Sequence, residues 1–153
     1  MAALKWGLLL QWVAAALLAC GCVSLAEFAD WPAAGDFVAK TSCSQSTAPS
    51  RCGRTRASWS ETYAKAIGGD YQSERAVALC LSTGCDDAII ENRILGCAWR
   101  HVIAGSRHPQ PAEDDTAAIG HFCGSDFVDD TDRQTARDQS AVWLGLLGSD
   151  QRP

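Results

Sequence analysis

Apolar residues recur at intervals of three and four along one stretch near the middle of the chain. The stretch is NRILGCAWRHVIAG, and its apolar positions are Ile94, Leu95, Ala98, Trp99, Val102 and Ile103. This spacing places the side chains on one face of a helix, where a hydrophobic core can bury them. Asn92, at the start of the stretch, is a residue type that caps helix N-termini. The pattern predicts a helix after Asn92 and is the strongest helical signal in the chain.

Four weaker patterns predict further helices, each bounded by residues that cap or terminate helices. The first follows the capping-box spacing of Ser58 and Glu61. The expected bounds are Ser58 to Gly68-Gly69, Asp70 or Ser73 to Thr83-Gly84, Asp115 or Thr116 to Gly124, and Thr131 or Asp132 to Leu147. Signals for strands are weak throughout. The sequence therefore predicts an all-α fold of about five short helices, arranged as hairpins.

The helices are expected to form one domain behind a cleaved leader. Residues 1–26 have the features of a secretory signal peptide, with a positive charge at Lys5, the apolar run GLLLQWVAAALLA, and small residues at Ser24 and Ala26. Residues 27–57 are rich in Ser, Gly and Pro and are predicted to be irregular. The helical domain is expected to span residues 58–148, and residues 149–153 a frayed tail.

The leader also contains two candidate lipidation sites. LLAC ends at Cys20 and ACGC ends at Cys22, and both resemble bacterial lipoprotein boxes, in which small residues precede the lipidated cysteine. Lipidation at Cys22 leaves six cysteines downstream, whereas lipidation at Cys20 leaves Cys22 as an odd thiol. A freely secreted protein and a lipid-anchored protein both remain open, and contact with a membrane is expected only through such an anchor.

The cysteines downstream of the leader are expected to form disulfides; they are Cys43, Cys52, Cys80, Cys85, Cys97 and Cys123. A small exported domain gains from such links because its core is limited. Cys43 and Cys52 are predicted to close a short loop. For the other four, Cys80–Cys85 with Cys97–Cys123 is the preferred pairing, and Cys80–Cys97 with Cys85–Cys123 is the alternative.

The polar residues match no familiar catalytic or metal-binding pattern. The net charge of −5 argues against nucleic acid as a partner, since phosphate backbones require clustered cations. Cys97 and His101 lie four residues apart, and His121 is close to Cys123. This spacing differs from that of common zinc modules, and disulfides compete for the sulfur atoms. No catalytic residue, metal ion or cofactor is therefore predicted.

Four tryptophans lie downstream of the leader. Trp99 and Trp143 belong to apolar stripes and are predicted to be core residues. Trp31 and Trp59 lie outside the strongest stripes, and they are the candidate residues for contact with a partner.

The segment from Asp70 to Ser106 resembles a divergent Sel-type repeat, a tetratricopeptide-like helical hairpin. The resemblance depends on SERAVALCLSTG and NRILGCAWRHVIAGS, in which Gly84 matches the turn, Asn92 the cap and Trp99 the aromatic position. The phrases GDYQ, CLSTGCD and CAWR are also similar to those of small exported proteobacterial proteins. The resemblance implies a helical scaffold for protein–protein interaction in the periplasm or cell envelope.

The predicted function is therefore an exported module that binds an envelope protein and is not an enzyme. Two alternatives from other classes remain open, a small disulfide-rich inhibitor of lytic enzymes and a hydrolase of envelope polymers. A helical fold hosts all three functions, so the fold class does not choose among them.

Overall fold

The structure is a computed structural model that describes residues 30–106, 108 and 113–150; the predicted leader, with Cys20 and Cys22, lies outside these residues. Two 3-10 turns precede five helices, with the bounds Ala34–Phe37 and Cys43–Gln45 for the turns, then α1 Pro49–Ile67, α2 Tyr71–Thr83, α3 Arg93–Gly105, α4 Glu113–Phe122 and α5 Asp130–Asp150. The described residues form no strand, and an isolated antiparallel bridge joins Val38 to Ile89. The prediction of an all-α fold with five helices is confirmed.

The ends of α2 and α3 lie where the sequence predicts them. The side chains of Asp70 and Asn92 each accept a hydrogen bond from the backbone amide three residues later, at 2.9 and 3.0 Å. Gly84 ends α2 with a φ of 75°, a left-handed conformation that glycine adopts without steric cost. Local capping and turn chemistry therefore determine this hairpin.

The first helix begins at Pro49, inside the segment predicted to be irregular up to residue 57. A proline in the first turn suits a helix start, because its φ is preset and no amide hydrogen is needed there. Arg51 donates two hydrogen bonds of 2.9 Å to the carboxylate of Asp86, and Cys52 is bonded to Cys43. Contacts with distant residues therefore stabilise a helical turn that the local composition disfavours.

The central helix is α3, which packs against α2, α4 and α5, while α1 packs against α2. The core-facing residues of α3 confirm the predicted stripe, and the buried members are Leu95, Ala98, Trp99, Val102 and Ile103. Gly96 allows α2 to approach closely, since a Cβ atom there would lie 2.3 Å from Ser82 Oγ and 3.2 Å from the carbonyl oxygen of Ala78.

Three disulfides link these elements, and they correspond to the preferred pairing. Cys43–Cys52 joins the second 3-10 turn to α1, Cys80–Cys85 closes the end of α2, and Cys97–Cys123 joins α3 to the residue after α4. Their Cα–Cα distances are 5.5, 4.8 and 5.2 Å. All six cysteines in the described part of the chain are paired, which suggests an oxidising, exported environment.

Within residues 30–106, 108 and 113–150, no helix combines the length and apolar character needed to cross a membrane.

Candidate functional site

The two tryptophans predicted to contact a partner lie in or against the core. Trp59 is 1% exposed, and its indole N–H donates a 2.8 Å hydrogen bond to the carbonyl oxygen of Ala34. Trp31 is partly buried and stacks on Trp99 and Trp143, with ring centroids 5.1 Å apart in both cases. The burial of Trp59 corrects the expectation that it lies on an exposed surface, because its ring packs against Phe37 of the first 3-10 turn, with centroids 6.3 Å apart. Trp31 covers the other two indole rings.

The structure brings together Cys97, His101 and Cys123, whose candidate ligand atoms all lie within 4.8 Å of one another. His121 is exposed and is not part of this group. The two sulfur atoms are bonded to each other, so neither is a thiolate that could bind a metal ion or attack a substrate. Burial lowers the pKa of His101, which favours its neutral imidazole form. The trio is therefore a disulfide with a neutral histidine beside it.

A pocket that the sequence did not predict opens where the start of α2, the end of α3 and the last turns of α5 meet. Its volume is about 460 Å³, within the range of sites that hold small molecules or single side chains. Leu144 and Leu147 of α5 form its apolar wall. Gly105 allows this arrangement, because a Cβ atom there would lie 2.6 Å from Leu144 Cδ1.

The polar end of the pocket consists of Glu74 and His108. Glu74 Oε2 and His108 Nε2 lie 2.7 Å apart, and Glu74 is fully buried. Glu74 Oε1 has no hydrogen-bond partner among the described residues. Burial raises the pKa of the Glu74 carboxyl group, since the ionised form loses its hydration; the hydrogen bond with His108 opposes this with a smaller effect.

Charged residues beside the pocket are paired with one another. The Tyr71 hydroxyl donates to Asp115, whose other carboxylate oxygen lies 3.0 Å from Arg75 Nε. Arg75 also lies 3.9 Å from Asp114. The Tyr71 ring packs against the ring of His108, with centroids 4.7 Å apart. This cluster links α2 to α4 and supports the position of His108.

One residue of the sequence indicates this site, although neither the composition nor any motif does. Glu74 precedes Val77 and Ala78 by three and four residues, so it shares the buried face of α2 with them. A carboxylate on an apolar face is unusual, and such residues often belong to functional sites. His108 follows α3 in a proline-containing segment, where no periodicity indicates its direction.

Replacing Glu74 by glutamine is expected to change the pH dependence of stability. Because the pKa of Glu74 is raised on folding, its stabilising contribution is full below the unfolded-state pKa of about 4.3 and is lost as the pH rises through the folded-state value. Wild type should therefore lose stability relative to Glu74→Gln as the pH increases, as measured by urea unfolding from pH 4 to pH 8.

Glu61→Gln is the matched control. Glu61 is exposed, and its hydrogen bond with Lys65 lowers its pKa, so any effect on stability should have the opposite sign. A wild-type advantage over Glu74→Gln that grows with pH would contradict the expectation.

Comparisons with protein-family models, with curated proteins and with solved structures find no match to this chain. The resemblance of residues 70–106 to a Sel-type repeat therefore stays a prediction.

Proposed function

We propose that this protein is a noncatalytic binding module, exported to the periplasm or cell envelope, that recognises an envelope protein. The observation that carries the proposal is the pocket among α2, α3 and α5, with its leucine wall and its buried pair of Glu74 and His108. Pockets that combine an apolar wall with a few convergent polar groups are typical of binding sites. Two helices around the pocket carry a disulfide, α2 at Cys80 and α3 at Cys97, and α5 packs against α3. A preformed pocket of this kind reduces the entropic cost of binding.

The chemistry of the pocket favours binding over catalysis. A thiol nucleophile is absent from the described residues, because all their cysteines form disulfides. Hydrolysis of glycosidic polymers usually requires a pair of carboxyl groups. Glu74 is the one carboxyl group among the described residues that line the pocket, and one of its oxygens is hydrogen-bonded to His108. This carboxyl group is better suited to fixing a bound group than to exchanging protons with a substrate.

The proposed export is consistent with the pairing of the cysteines. The three disulfides consume every cysteine from Cys43 to Cys123. Cleavage after Ala26 and lipidation at Cys22 both leave these six cysteines as the full set, whereas lipidation at Cys20 adds one unpaired thiol. We therefore propose a protein that is either freely secreted or anchored through Cys22.

A photo-reactive residue at Gly148 is expected to cross-link an envelope protein in intact cells. Gly148 lines the pocket, and a Cβ atom added there would meet no atom within 4 Å. Gly145 provides a matched control on the same helix, since it is also exposed and unhindered but does not line the pocket. The adduct, identified by mass spectrometry, should form at Gly148 and not at Gly145. Equal or absent adducts at the two positions would contradict the proposal.

Hydrolysis of an envelope polymer is the second candidate function, because the pair of Glu74 and His108 with a raised carboxyl pKa is the kind of group that general acids use. Purified protein is expected to release no soluble fragments from peptidoglycan. Release that is abolished by Glu74→Gln and retained by Glu61→Gln would favour the hydrolase instead.

A further inference from the structure

We propose that the pocket receives an alkylammonium group, with its methylene chain against Leu144 and Leu147 and its nitrogen at Glu74. The inference deepens the proposed function and rests on it, since the expected source of this group is a lysine side chain of the partner protein. A free alkylamine would present the same chemistry.

The carboxylate of Glu74 can accept more hydrogen bonds than the described residues donate to it. Oε2 is matched by a single nitrogen of His108, and Oε1 is buried without a partner among the described residues. Leaving a buried polar atom unpaired is costly, and burying an ionised carboxylate is costly unless opposite charge and hydrogen-bond donors lie beside it. A cationic N–H donor meets both requirements, because charge-assisted hydrogen bonds are the strongest that a carboxylate accepts.

The electrostatic field inside the pocket favours a cation. Gly105 lies at the C-terminal end of α3, and Leu147 and Gly148 lie in the last turn of α5. Helix C-termini carry partial negative charge and favour cations. The third helix end at the pocket is the N-terminus of α2, and the carboxylate of its cap Asp70, which accepts a hydrogen bond from the Ser73 amide, offsets the partial positive charge there.

The nearby cations do not offset this field. Arg75 faces Asp114 and Asp115, and its charge is balanced by theirs. An anionic ligand would therefore be repelled, and a purely apolar ligand would leave Glu74 Oε1 unpaired.

The shape of the pocket suits a lysine side chain. Its apolar wall and its acidic end match the two parts of a lysine side chain, which buries its methylene groups along apolar surface and keeps its ammonium group among polar partners. The volume of about 460 Å³ accommodates such a side chain together with ordered water.

Calorimetric titration of the mature, disulfide-bonded protein with Nα-acetyl-lysine amide tests the inference. Nα-acetyl-norleucine amide has a similar hydrocarbon chain without the charge, and 1,5-diaminopentane represents the free-amine source. We expect the lysine derivative to bind with a Kd on the order of 1 mM, and at least about tenfold more tightly than the norleucine derivative. Glu74→Gln and Gly148→Phe should each weaken binding by at least about tenfold, and Gly145→Phe should leave it unchanged.

The outcomes separate the inference from the function on which it rests. Equal binding of the lysine and norleucine derivatives to wild type would overturn the inference, even if Gly148 cross-links a protein in cells. Loss of binding in Gly145→Phe as strong as in Gly148→Phe would overturn it as well. Tighter binding of diaminopentane than of the lysine derivative, with no cross-link at Gly148, would support the alkylammonium site and overturn the protein partner.

Discussion

Replacing Trp99 by alanine is expected to lower the free energy of unfolding by about 3–5 kcal/mol, the range for removal of a large buried aromatic side chain. Trp99 is fully buried on α3, the helix against which α2, α4 and α5 pack. Its ring lies 5.1 Å from that of Trp31, 5.2 Å from that of Trp143 and 6.3 Å from that of Tyr63, measured between centroids. A cavity there removes contacts from several elements at once.

Trp31→Ala is the matched comparison, because Trp31 belongs to the same stack but is only partly buried. Its removal should cost less than that of Trp99, since part of its surface already faces solvent. Urea unfolding at pH 7, followed by circular dichroism, gives both values. A loss in Trp99→Ala no larger than that in Trp31→Ala would show that the indole stack is not the centre of the core.

Removing the Cys97–Cys123 disulfide by a double substitution to alanine is expected to cost about 3–4 kcal/mol. This disulfide spans 26 residues, so its loss increases the entropy of the unfolded chain more than the loss of the other two, which span 9 and 5 residues. Cys97 is also fully buried in α3, and the shortened side chain adds a small cavity.

The matched control is the double alanine variant of Cys80 and Cys85. The disulfide that it removes closes the shortest loop, so its loss should cost about 2 kcal/mol. Both variants are compared by urea unfolding in the absence of reductant. A larger loss for Cys80 and Cys85 than for Cys97 and Cys123 would contradict the expectation that the disulfide with the longest loop contributes most to stability.

Local chemistry made much of the fold predictable. The stripe around Trp99 predicts α3, and Asp70, Gly84 and Asn92 predict the ends of the central hairpin, because caps and left-handed glycines act within a few residues. The preferred cysteine pairing is also confirmed. Cys80 and Cys85 flank a helix end, and short separations leave few geometries for a disulfide.

Long-range contacts explain what the sequence did not indicate. The first turns of α1 are tied to the rest of the chain by the Cys43–Cys52 disulfide and by the pair of Arg51 and Asp86, which are distant in sequence. The pocket depends on the approach of α5 to Gly105 and on the contact between Glu74 and His108. The sequence predicts Trp59 at the surface because it lies outside the strongest apolar stripes, but the first 3-10 turn covers it through the hydrogen bond to Ala34. None of these contacts produces a periodic pattern in the sequence.

The central claim is that the six cysteines form three disulfides that stabilise the short helices. The most direct test is to purify the mature chain from an oxidising compartment, denature it, alkylate it without reductant and count the adducts by mass spectrometry. The structure predicts no alkylated cysteine among the six, and non-reducing peptide maps should contain Cys43–Cys52, Cys80–Cys85 and Cys97–Cys123. Six alkylated cysteines, or a peptide that joins Cys80 to Cys97, would contradict the account.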